Sequence, residues 1–206
     1  MSAYDVLGSG RSDGECMEEA LAATGYALEA GEDPDALLAE SAKTDASAYG
    51  ELYERYYLRV YRYVYHRVGH TSDAEDITAL VFMKALEALP SYRSRHNGFA
   101  PWLFRIARNC VVDYYRRRRK QNPLDVVAHH AADADPIGQV LGREQRIELH
   151  NLMYELSSDQ RDVVLMRYAA DLSFPEIAAT LGKKEPAVRM LLHRGLRKLK
   201  AVMDDE

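Results

Sequence analysis

The sequence predicts an all-α protein of two small helical domains joined by a flexible linker, the second domain a helix-turn-helix. Three observations carry this. Apolar residues recur at helical spacing in three long segments between Ala46 and Lys120. A stretch from Asn122 to about Arg143, holding Pro123, Pro136, Gly138 and an Ala/Asp run, then interrupts the pattern. Beyond it, two helix-start signals flank a helix stop at Gly182, the punctuation of two short helices joined by a tight turn.

The 206 residues suffice for one domain or two small ones, and 47% apolar with 29% charged residues is a globular composition. No apolar run is long enough to span a bilayer, and no basic-then-apolar leader opens the chain. A cytoplasmic location without membrane attachment is therefore expected. Two cysteines, Cys16 and Cys110, build neither a disulfide framework nor a zinc site. The adjacent His129 and His130 lack a supporting cluster, so no metal and no cofactor is expected.

The net charge of −5 conceals an asymmetry. Residues 1–45 hold 2 basic and 11 acidic groups, whereas 46–120 hold 14 basic and 7 acidic. The acidic extension, 1–45, has mostly alanine for apolar residues. Disorder is its expected state, although Met17 to Ala30 and Asp35 to Ala42 could form short helices. A basic block beside an acidic one points to a polyanionic partner.

Ala46 to Val68 reads as a tyrosine-rich helix with Tyr49, Leu52, Tyr53, Tyr56, Val60, Tyr63, Val64 and Val68 inward, stopped by Gly69. A second helix starts at Ser72, where Glu75 completes a capping-box pattern, and Pro90 ends it. Asp73, Glu75 and Asp76 suit its dipole. After the polar loop Tyr92–Gly98 comes the stretch Phe99 to Lys120. Wound as a helix, it places Trp102, Leu103, Ile106, Ala107, Cys110, Val111 and Tyr114 on one arc. Arg105, Arg108, Asn109, Arg116 and Arg119 fall opposite, with Val112 among them. Planar guanidinium and amide donors match base edges and phosphates. The run Arg116–Lys120 reads as a phosphate clamp or a solvated helix end.

From Glu144 to Glu206 a smaller helical unit follows. Ile147, Leu149, Leu152, Met153 and Leu156 suggest one helix, and Ser157 or Ser158 caps the next. Ser173-Phe-Pro-Glu176 is a capping box, Gly182 a stop, and Pro186 opens a last helix to about Met203. There Val188, Leu191, Leu192, Gly195, Leu199 and Val202 face inward. Arg189, His193, Arg194, Arg197 and Lys200 face out, as a helix entering a major groove would have them.

In these residues the chain resembles the extracytoplasmic-function (ECF) sigma factors of bacterial RNA polymerase, from about Ala46 to Met203. The marks are Asp73-Ala-Glu-Asp76, Phe82-Met-Lys-Ala, Trp102-Leu-Phe-Arg-Ile-Ala-Arg-Asn109 and Asp113-Tyr-Tyr-Arg-Arg. Leu156-Ser-Ser-Asp-Gln-Arg161, Leu172-Ser-Phe-Pro-Glu-Ile-Ala178 and Leu181-Gly complete the set. Each motif alone is weak, but the ordered set is specific.

The resemblance implies a non-catalytic initiation subunit of four parts: an extension, 1–45; a region 2-like domain, 46–120; a linker, 121–143; and a region 4-like domain, 144–206. Asp73, Asp76, Ala79, Leu80 and Met83 would bind the β′ clamp helices of the polymerase core. Arg93, Arg95, His96 and Asn97 of the loop, with Arg105, Arg108, Asn109, Arg116 and Arg117, would recognise and melt the minus-ten element. Arg189, Met190, His193, Arg194 and Arg197 would read the minus-thirty-five element, with that domain docked on the β flap. Promoter DNA and polymerase core are thus the expected partners, and an anti-sigma factor is the family's frequent controller, though no residue identifies one.

Some positions depart from the family pattern. Ala79-Leu80 stands where a Gln-Glu or Gln-Asp pair is common, Pro186-Ala187 replaces Gly-Thr, and Met190 takes the place of a small polar residue. A stand-alone helix-turn-helix regulator is the alternative; it would bind palindromic duplex alone. An adaptor that only binds polymerase would leave the cationic outer face of the last helix unexplained. A nucleic-acid enzyme finds no support, since no carboxylate cluster, phosphate loop or nucleophile–base pair is legible.

Overall fold

A computed structural model of the chain describes residues 35–93, 98–121 and 151–204, and every element among them is helical. In order these are α1 (Ala36–Ser41), α2 (Ala46–Val68), α3 (Thr71–Ala88) with a 3-10 turn at Leu89–Ser91, and α4 (Phe99–Gln121). Residues 151–155 are helical, and α5 (Ser158–Tyr168), α6 (Phe174–Leu181) and α7 (Glu185–Asp204) follow. No described helix is long and apolar enough to cross a membrane.

The folded part begins before Ala46. Asp35 is buried and accepts bonds from Arg55 and Tyr56 of α2, which ties α1 down. Ala39 and Ala42 are small enough to lie flush against α2. An alanine-rich segment thus docks through one buried carboxylate, where hydrophobicity alone predicted disorder. Residues 1–34 lie outside the described part, as do 122–150, which contain the predicted linker apart from Gln121, the last residue of α4.

Helix α2 starts where Asp45 accepts the Ser47 amide at 2.8 Å. It ends at Gly69, whose φ of 80° is the left-handed cap that glycine adopts without strain. Leu52, Tyr56, Val60, Tyr63, Val64 and Val68 are buried as the periodicity predicts. Tyr49 is only half-buried, and Tyr53 is 40% exposed against Phe82. A second stripe, Tyr57, Tyr61 and Tyr65, stacks at centroid distances of 6.2 and 6.0 Å along the same helix.

The capping box predicted at Ser72 does not form. Helix α3 starts at Thr71 with His70 as its N-cap and no side-chain capping bond, leaving Asp73 as the acid of the first turn. Asp73 is used otherwise, accepting the Tyr114 hydroxyl of α4 at 2.7 Å. At the far end Tyr92, buried, meets Trp102 and Phe99 at 5.0 and 5.8 Å. That aromatic cluster anchors both ends of the loop 93–98.

Both capping boxes of the second domain are present. Ser157 with Gln160 starts α5, and Ser173 with Glu176 starts α6. Gly182, at φ 64°, stops α6, and α7 begins three residues later. Val188, Leu192 and Gly195 seat α7; Leu156 and Val164 lie beside Gly195. Leu191, Leu199 and Val202 are half-buried.

Candidate nucleic-acid interface

Helix α4 carries the basic arc, and its predicted apolar arc is correct in outline: Leu103, Ala107, Cys110 and Val111 are buried. Burial also raises the Cys110 thiol above its ordinary value, which suits a core residue. Phe104 was not on that arc, yet it is fully buried, edge-on to Tyr63 at 5.9 Å. The reason is that α4 has a second covered face: the second domain closes over it.

This changes the standing of two predicted DNA contacts. Arg105 does not face solvent alone; its Nη2 donates to the Ala179 carbonyl at 2.5 Å and its Nε to Thr180 at 3.4 Å. These carbonyls belong to the last turn of α6, where a helix is short of donors and partially negative. Arg108 donates Nε to Asp162 Oδ2 at 2.7 Å and Nη2 to Asp159 Oδ1 at 3.3 Å. Burial works against its charge, but the bond to Asp162 and that carboxylate's field outweigh it and raise its pKa.

The remaining polar candidates divide. Asn109, Arg117 and Arg119 are exposed. Arg116 pairs with Asp113 at 3.0 Å. Arg118 turns back to donate to the Tyr114 hydroxyl at 2.5 Å and stands 3.8 Å from Asp73. Arg93 is exposed, whereas Arg95, His96 and Asn97 lie outside the described residues.

On α3, Asp76, Ala79 and Met83 are exposed along one face with Leu80 half-buried beside them. Met83 is 54% and Leu86 51% exposed, an apolar presentation that costs solubility unless a partner covers it. Leu86 was not among the predicted contacts, although it lies three residues beyond Met83. Asp73, Asp76 and Leu80 also border an open cleft of about 500 Å³ between α3 and α4, shared with Lys84, Asp113 and Arg117.

On α7, Met190, His193, Arg194 and Arg197 are exposed, as is Lys200. Arg189 is held: it pairs with Glu185 at 2.6 Å, and its guanidinium lies 4.1 Å from the Phe174 ring centre. The outward face is therefore His193 with the cations Arg194, Arg197 and Lys200, and Arg189 is fixed at its start.

Sequence reasoning missed Asp162, Arg67 and Arg59. Asp162 is fully buried and joins the domains through Tyr63 and Arg108. The available signal was a charge out of phase: Arg67 sits four residues after Tyr63 on the inward face, and Asp162 abuts Val163-Val-Leu-Met. Among the described residues no group of His, Cys, Asp and Glu is placed to hold a metal ion.

Comparison with known proteins places this arrangement in a class. Family models for Sigma-70 region 2 and Sigma-70, region 4 match residues 52–121 and 146–199, the two helical units described above. The ECF RNA polymerase sigma factor BldN of Streptomyces coelicolor is 34% identical over 167 residues, 79% of this chain and 62% of BldN. SigD of Mycobacterium tuberculosis, also an ECF RNA polymerase sigma factor, is 32% identical over 177 residues, 82% of this chain and 84% of SigD. The solved structure of CnrH in complex with the cytosolic domain of CnrY is 26% identical with a TM-score of 0.66, covering 84% of this chain and 99% of that one. The chain belongs to the ECF RNA polymerase sigma factors, the class of initiation subunits that direct promoter-specific transcription. A stand-alone regulator is not favoured.

Proposed function

We propose that this chain binds RNA polymerase core and directs initiation at a two-part promoter, recognising minus-ten and minus-thirty-five elements and opening the first. The observation that supports it best is the second domain's geometry. A doubly capped helix-turn-helix, stopped at Gly182, presents His193, Arg194, Arg197 and Lys200 outward on α7. Those residues, with Arg189 and Met190, would lie in the upstream major groove, where a bidentate arginine–guanine contact gives about 1–3 kcal/mol of discrimination.

The first domain supplies the other half. Met83, Ala79, Asp76 and Leu80 of α3 offer the surface for the β′ clamp helices, with Asp73 at its start. Arg93, Arg95, His96 and Asn97 would capture an unpaired base, and Arg105, Arg108, Asn109, Arg116 and Arg117 would hold the opened strand. Unstacking costs a few kcal/mol per base, which a pocket and phosphate contacts must offset. The chain acts without catalytic residues of its own, in the cytoplasm, and an anti-sigma factor is its expected controller. The second domain docks on the β flap.

Purified chain, bacterial core polymerase and a library of promoter-like DNA test this together. Co-elution with core, and run-off transcripts from a defined two-part motif only when the chain is present, are expected. Binding to duplex DNA with no association with core would contradict the reading.

A further inference from the structure

Arg189 differs from the other outward cations of α7 in being held from two sides. Its Nε donates to Glu185 Oε1 at 3.0 Å, and its Nη2 donates to the same oxygen at 2.6 Å. Its guanidinium lies 4.1 Å from the centre of the Phe174 ring, within cation–π range. That ring is itself placed. Phe174 opens α6, is buried, and takes a second guanidinium, Arg167 of α5, at 5.3 Å. Arg167 is fixed in turn by donating to the Leu172 carbonyl at 3.1 Å. Side chains of α5, α6 and α7 thus converge on the first turn of α7. Neither Arg194 nor Arg197 has an ion pair or ring contact among the described residues.

Stability does not account for this arrangement. The Arg189 side chain is 55% exposed and that of Glu185 37%, and an exposed pair at i and i+4 contributes little. Its geometry has a different use. The carboxylate takes the Nε side of the guanidinium, while the outer Nη1–Nη2 edge makes no hydrogen bond among the described residues. Parallel donors on that edge match O6 and N7 of guanine, whereas adenine sets a donor where guanine has O6. An arginine free to swing could settle on a phosphate, which carries no sequence information. A held one loses less freedom on binding. The Glu185 carboxylate also repels phosphates, so a duplex without the matching base meets an uncompensated charge.

We propose that Glu185 and Phe174 are positioning residues that present the outer edge of Arg189 to one guanine of the upstream element. Arg189 touches the base, Glu185 and Phe174 act through Arg189, and Arg167 acts through the Phe174 ring. The unheld Arg194 and Arg197 serve phosphates instead. This deepens the function proposed above and rests on it.

The test uses the full chain with core polymerase and a promoter library randomised in the upstream element, read by sequencing the run-off transcripts' templates. The wild type is expected to prefer guanine about tenfold over other bases at one upstream position. Arg189→Lys keeps the charge but not the fork, and should lose that preference. Glu185→Ala and Phe174→Leu should each cut it about fivefold, whereas Phe174→Tyr, which keeps the ring, should retain it. Glu185→Ala should also raise run-off from promoters lacking the guanine, at an unchanged melting temperature. A merely loosened helix would lower run-off from every promoter alike, and that result in both variants would overturn the positioning. A guanine preference kept by Glu185→Ala and Phe174→Leu would overturn it too, leaving the proposed function intact. A preference that survives Arg189→Lys would remove Arg189 as the reader. A wild type that initiates with no upstream preference would count against upstream recognition itself, and the positioning would fall with it.

Discussion

Arg108 and Asp162, 54 residues apart in sequence, meet across the two domains with Nε 2.7 Å from Oδ2. Asp162 has no solvent of its own, so its charge is balanced there or not at all. Groups that share one buried network are coupled, and their substitutions do not add. In a denaturation cycle, Arg108→Ala with Asp162→Ala should cost less than the two single losses combined, by about 1–3 kcal/mol. Additivity within about 0.5 kcal/mol would mean the two sites act independently.

The two glycines of the helix-turn-helix have opposite expectations. Gly182 needs its φ of 64°, so Gly182→Ala should destabilise the domain by about 1 kcal/mol even though nothing crowds the site. Gly195 is helical, and a methyl there would meet Val164 Cγ2 at 3.5 Å and Gln160 Cβ at 3.6 Å, ordinary contacts. Gly195→Ala should be neutral or stabilising by up to about 1 kcal/mol. Thermal melts of both variants check the contrast.

Tyr63 links stability to alkaline pH. Burial, then the charge of Asp162, raise its hydroxyl well above the ordinary value of 10.0. A group with a raised folded pKa contributes fully below its unfolded pKa and loses that contribution as pH rises beyond it. Stability should therefore hold up to about pH 10 and fall above it, and Tyr63→Phe should flatten that fall. Melting temperatures across the alkaline range measure it; identical slopes for both proteins would remove Tyr63 from the account.

Much of the fold was legible because its signals are local. Ser173 and Glu176, Gly182, Gly69 and Pro90 each act within a few residues, and the helices begin and end where such punctuation stands. Ser72 shows the limit. Its capping pattern is present, but α3 begins a residue earlier, at Thr71, and Asp73 is drawn to Tyr114 of α4. The residues that meet in the domain contact were not legible. The spacing of Arg105 and Arg108 says that they leave one face of α4, but not whether water, DNA or another helix meets them. Only chain topology brings Ala179 and Asp162 to that face. The same holds for Asp35, whose burial depends on Arg55 and Tyr56 rather than on its own neighbours.

The face of α3 gives a separable prediction. Met83 is mostly exposed, so Met83→Asp should leave the melting temperature unchanged while weakening association with polymerase core about tenfold or more. Titration of labelled core with each chain checks it. Equal affinity with an intact fold would move the polymerase contact elsewhere on the domain.

The most direct measurement is permanganate reactivity of thymines in the promoter selected by run-off transcription. With chain and core polymerase together, thymines of the downstream element should become reactive, and neither component alone should expose them. Duplex binding by the chain alone, with no thymine becoming reactive when core is added, would contradict a sigma factor that opens its promoter.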